Sequence, residues 1–146
     1  MTRVRDGLAA GAVAGIVSGG PSTVHALVTG RGVLDATAAA GRLVAPASAP
    51  RWAKVVAGGA AHAALSLGWG AVLAVSLPRR RTIGAGALAG LAIAAVDLGL
   101  VGRRVDEIRA LPLGPQVLDH VAFGAVAGYV LTRRRGRGHE TTPRPG

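Results

Sequence analysis

Apolar residues fall into four long blocks, 7–29, 54–77, 82–102 and 113–131, separated by short polar or basic stretches. As a helix rising about 1.5 Å per residue, each block is long enough to cross, or nearly cross, roughly 30 Å of hydrocarbon. The pattern predicts an all-α protein: a four-helix transmembrane bundle with up-down-up-down topology, forming a single four-span domain over residues 1–131. Residues 132–146, rich in Arg, Gly and Pro, are expected to form a disordered basic tail. The basic head before the first block also suits a secretory signal peptide. The run is long for that class, however, lacks a clear cleavage site and precedes further spans.

Small and polar residues mark one face of each block. In the first, Gly7, Gly11, Gly15, Ser18, Ser22, His25 and Thr29 recur at steps of three and four and so share a helical face. The matching faces are Gly59, His62, Ser66 and Gly70 in the second block, Gly86, Gly90, Ala94 and Asp97 in the third, and Gln116, His120, Gly124 and Gly128 in the fourth. Small residues at this spacing let helix backbones approach closely in lipid, where apolar contact alone gives little drive. Gly7, Gly11, Gly15, Gly86, Gly90, Gly124 and Gly128 are therefore the expected packing positions. Pro21 should kink the first helix beside Ser22 and His25.

Two tryptophans differ in setting. Trp52 falls at an expected membrane edge, whereas Trp69 lies inside its block and needs a partner for its indole N–H. The loop 30–53 offers Asp35 as a cap for a short helix through Leu43. Its apolar positions Leu34, Ala38 and Val44 suit either an interfacial lid or a plain linker. Residues 103–109 read as a solvated helical extension, from which Arg104 can lean back toward Asp97.

Ionisable residues inside such blocks change the picture. Each costs roughly 2.5–3.5 kcal/mol to insert and usually faces a partner or a wet cavity. Ser22, His25, His62, Ser66, Asp97, Asp119 and His120 are the candidate polar layer. Adjacent Asp119 and His120 point about 100° apart, so one must turn from the bundle axis, and Asp119 is expected to face an adjacent helix.

The composition, heavy in Ala, Gly, Val and Arg with mean hydropathy +0.42, resembles that of small multi-pass membrane proteins of high-GC actinobacteria. The resemblance covers the whole chain and implies no activity. With no cysteine, disulfides, thiolate metal sites and a cysteine nucleophile are excluded. The net charge of +10 lies almost wholly between and beyond the apolar blocks, without a groove-reading motif, which favours anionic headgroups over nucleic acid.

With four spans, one side holds ten Lys and Arg residues and the other seven. The positive-inside rule then places both termini in the cytoplasm of a plasma-membrane protein. In that frame His25, His62, Asp97, Asp119 and His120 all fall in the outer half.

Three readings of the layer follow. In the first it is structural, with polar groups hydrogen-bonding across helices. In the second it is an outward-facing cation or proton binding or translocation site using His25, His62, Asp97 and Asp119, which are also the candidate ligands for a divalent metal. In the third, His25 and His62 hold a haem, or a metal activates water. The structural reading is the expected one, with no cofactor. No catalytic motif is present, so the protein is expected not to be an enzyme. A homo-oligomer or a larger membrane complex remains open as partner.

Overall fold

The first apolar block does not form one straight helix. α1 (Thr2–Val17) gives way at Ser18–Gly19, and α2 (Gly20–Val28) carries Pro21 in its opening turn. Proline is tolerated there because first-turn N–H groups have no helical acceptor to lose. The break thus falls just before the proline, at Ser18–Gly19, and leaves the start of α2 half-buried against α7. The computed structural model describes the backbone of residues 2–140 and the side chains of residues 3–136, and these residues are all-helical with no strand.

After α2 the chain forms α3 (Asp35–Ala40), extended by a 3₁₀ turn Gly41–Leu43. Leu34, not Asp35, is the N-cap residue; the Asp35 carboxylate instead accepts from the Gly32 N–H at 3.1 Å and pairs with Arg51 at 3.0 Å. The segment packs on α4 (Arg51–Ser76), with Gly58 against the Thr37 carbonyl and Gly41 against the Lys54 carbonyl. It is a seated cover rather than a free linker. Gly59, expected on the packing face, has nothing near it, and its neighbour Gly58 makes the contact.

Pro78 closes α4. A tight turn through Arg81, in the left-handed region at φ 55°, leads into α5 (Thr82–Val96). Thr82 Oγ1 donates to the carbonyls of Pro78 and Arg79 at 2.9 and 3.1 Å. The third block then loosens into a π-helical turn, Asp97–Val101, and a 3₁₀ turn, Gly102–Arg104. The short α6 (Asp106–Arg109) precedes α7 (Leu113–Glu140).

α1 packs on α4 and α7, and α7 on α5. Along α1, Gly7 meets Gly70, Ala71 and Ala74, Gly11 meets Ser66 and Leu67, and Gly15 meets Ser66 and His62, so this pair runs antiparallel. α5 and α7 do the same, with Gly86 against Gly124, Gly90 against His120 and Val121, and Gly128 against Thr82. A Cβ on Gly7 would lie 2.7 Å from the Ala71 Cα, which shows how little space separates the backbones. Ala10, Ala14, Leu73, Ala74, Leu77, Ile93, Phe123, Ala127 and Leu131 form one buried cluster.

Three helical stretches are long and apolar enough to cross a membrane: Arg3–Val28, Arg51–Ser76 and Thr82–Arg104. The expected fourth span, 113–131, is not among them, because Gln116, Asp119 and His120 lower its hydropathy. A further difference lies in the basic tail. Expected to be disordered from Thr132, it continues α7 as helix to Glu140, while residues 141–146 lie outside the described ones. Contacts of Arg133 and Arg134 support the start of this extension: Arg134 pairs with Asp6 at 2.6 Å, and Arg133 lies 5.4 Å over the Tyr129 ring.

Candidate functional site

Where α1 ends and α2 turns away, the helices no longer fill the interior. A cavity of about 400 Å³ opens there between α2, the α3 segment, α4, the π-helical turn and the first half of α7. Ser22, His25, His62, Ser66, Asp97, Asp119 and His120 all line it. They do not form one network. Each is held separately by a backbone group, a partner side chain or packing.

Asp119 fills the start of α2. Its Oδ1 accepts the Ser22 backbone N–H at 3.0 Å, so a carboxylate lies where the helix dipole is positive and first-turn donors are unpaired. The Gly19–Pro21 break creates that opening, and the position of Asp119 on α7 closes it. This is the turn toward an adjacent helix expected of Asp119.

His120, one residue on, points to α5. Its Nδ1 lies 2.8 Å from the Gln116 carbonyl and its Nε2 lies 3.5 Å from Asp97 Oδ2. A carbonyl only accepts, so Nδ1 must carry a proton. At that separation Nε2 faces the carboxylate oxygen in a charge contact and not a hydrogen bond. Trp69 donates its indole N–H to the same Asp97 oxygen at 3.3 Å, which answers the need for a partner inside α4. Asp97 begins the π-helical turn, a departure from regular winding that often accompanies functional positions. Arg104, expected to lean toward Asp97, is exposed, and Trp69 and His120 occupy that role.

His62 Nε2 lies 2.9 Å from the Gly15 carbonyl, near the end of α1 where carbonyls lose their helical donors. Ser66 is buried at the α1 contact, against Gly11 and Gly15. His25 makes no ring hydrogen bond among the described residues, although it lines the cavity. Among the described residues, no three His, Asp or Glu side chains converge in a way that could hold a metal ion, so His25, His62, Asp97 and Asp119 are not gathered into one ligand set.

Outside the apolar blocks, Arg42 reaches across from the 3₁₀ turn to Glu107 of α6 at 2.7 Å. This ties the cover to the loop beyond the π turn. The Arg42 guanidinium, then the backbone at Glu107, hold the Glu107 carboxyl below its ordinary 4.5. Trp69, Gln116 and Arg42 contribute to the arrangement without having been candidates. Only the need of Trp69 for a polar partner signalled any of them. Compared with known protein families, characterised proteins and solved structures, the chain has no match.

Proposed function

We propose that the chain is an integral membrane protein of four spans in up-down-up-down order, with both termini cytoplasmic, and that its cavity is an outward-facing cation or proton site centred on Asp97 and His120. Three apolar helices support membrane insertion, as do outward-facing side chains such as Ile16 and Leu88, which are 86% and 69% exposed. The fourth span, 113–131, is sheltered by α1 and α5, so its polar residues face protein and cavity instead of lipid.

One observation favours a site over simple interhelical glue. Both contacts of Asp97 fall on Oδ2; Oδ1 accepts no hydrogen bond among the described residues, while the residue lines the cavity. That oxygen is not buried and so is open to a further ligand from the cavity. In this reading a proton taken up by the His120–Asp97 pair is the exchangeable species, and an arriving cation at Asp97 would displace it.

Purified protein in weakly buffered nanodiscs tests this reading. Adding a binding cation should release about one proton and raise the melting temperature, and Asp97→Asn should abolish both effects. A wild type that neither releases a proton nor is stabilised by any cation leaves the layer as scaffold only. Topology is checked on the cysteine-free chain, where Ser48→Cys should label with an impermeant maleimide on intact cells and Arg80→Cys should not.

A further inference from the structure

The cavity is too roomy and too carbon-rich for a bare ion. At roughly 30 Å³ per water, about 400 Å³ holds on the order of a dozen waters, the size range of small-ligand pockets. Leu65, Ile93, Leu98, Leu111 and Phe123 make much of its wall. A tightly held divalent metal wants several converging donors, and among the described residues no three His, Asp or Glu side chains gather into such a set.

The carboxylates inside stand beside imidazoles and no buried Arg or Lys. Asp97 and Asp119 lie among the helices, whereas the one Arg or Lys among the lining residues is Arg31, exposed in the loop 30–53. Asp35 also lines the cavity and is paired with Arg51. An anionic guest has no free place, because the start of α2, where an anion would bind, is occupied by the Asp119 carboxylate. Trp69 completes the pattern. Its N–H bond to Asp97 Oδ2 fixes the carboxylate at the indole edge, and a carboxylate with an uncommitted oxygen on an apolar-walled cavity is the group that takes an ammonium head by charge and hydrogen bond.

We infer that the cavity between α2, the α3 cover, α4 and α7 binds a small organic ammonium ion with an apolar body, its charged head at Asp97 Oδ1 and its body against Leu65, Ile93 and Phe123. This names the ligand class of the cation site proposed above and rests on that reading. His120 acts as a positioning residue that holds Asp97 and gives up the proton on binding. His25, His62, Asp119 and Gln116 face the same space and set its remaining polarity.

Trp52→Phe leaves Trp69 as the single indole and reporter. In phosphatidylglycerol nanodiscs, benzylammonium should shift Trp69 emission saturably and tetramethylammonium should compete, while benzyl alcohol, Na⁺ and K⁺ should not. Asp97→Asn should weaken benzylammonium at least about ten-fold, and Trp69→Phe, which removes the N–H that fixes the carboxylate and is followed by thermal shift, about three-fold or more. Phosphatidylethanolamine in the disc competing with benzylammonium would identify a lipid headgroup as the source of the ammonium; no competition points to a free amine. Binding of Na⁺, K⁺ or protons at Asp97 without organic ammonium overturns this inference and leaves the cation site standing. Benzyl alcohol binding as well as benzylammonium also overturns it. Absence of every cation effect in the folded wild type removes both.

Discussion

Ser22 and Asp119 are 97 residues apart in sequence, and a 3.0 Å hydrogen bond from the Ser22 backbone N–H to the Asp119 carboxylate joins them. The bond exists because α1 and α2 are separate helices. A continuous first span would have paired that N–H with the carbonyl of Ser18. Asp119→Asn keeps an acceptor but loses the charge at the helix start, and Asp119→Ala loses both. The expected costs are about 1 and about 2 kcal/mol, read as melting in detergent, with exchange of α2 amides rising first. Equal melting of all three proteins would show that Asp119 does not hold α2.

The glycines divide into two classes with opposite responses to alanine. At Gly11, Gly86, Gly90 and Gly124 a methyl group would run into backbone of the partner helix, which cannot yield without separating the pair. Alanine there should cost on the order of 2 kcal/mol or more. Gly59 and Gly68 sit on α4 with open space around them, so Gly59→Ala and Gly68→Ala should gain up to about 1 kcal/mol from helix propensity. A melting series in one detergent separates the classes. Loss at Gly68 would instead point to a neighbour on that face.

Much of this fold can be read along the chain because its close contacts repeat at helical spacing. Gly7, Gly11 and Gly15 announce a packing face without reference to any partner. Features that depend on a distant partner leave no such mark. Gly58 packs where Gly59 was expected, because the α3 cover fixes which side of α4 is occupied at that end. Asp97, Trp69 and His120 were each visible as costly residues in apolar runs, but their meeting joins α4, the end of α5 and α7, which no period within one helix announces. The helix through Arg133–Arg135 was hidden for the same reason. Its supporting groups, Asp6 and the end of α4, lie far away in sequence.

The Arg42–Glu107 bridge makes the cover over the cavity sensitive to acid. Arg42 lowers the Glu107 pKa below 4.5, so the folded form binds its proton less readily than the unfolded chain. The resulting stabilisation is fully present above 4.5 and is lost as pH falls through the depressed folded value. Glu107 is exposed, and the effect is therefore local. Amide protection factors over residues 35–43, corrected for the intrinsic pH dependence of exchange, should fall below about pH 4.5 in the wild type and be already low, without that acid step, in Glu107→Gln. An unchanged acid step in the variant would assign it to another carboxylate.

Arg135 closes the opposite end. Its Nη2 donates to the Ala74 carbonyl at 2.9 Å, and its Nη1 reaches the carbonyls of Leu77 and Pro78 at 3.4 Å, where the last turn of α4 has no helical donors left. Burial, then Arg79 and Arg3, disfavour its charge, so the guanidinium is held there by the α4 carbonyls, the negative end of the helix dipole and Asp6. Arg135→Gln should cost about 1–2 kcal/mol and loosen amides at the end of α4 and in α7 beyond Leu131. Arg135→Lys should restore little of this, because a single ammonium cannot address three carbonyls in a fixed fork. Full rescue by lysine would mean that charge alone, and not the forked geometry, keeps α7 helical through its basic stretch.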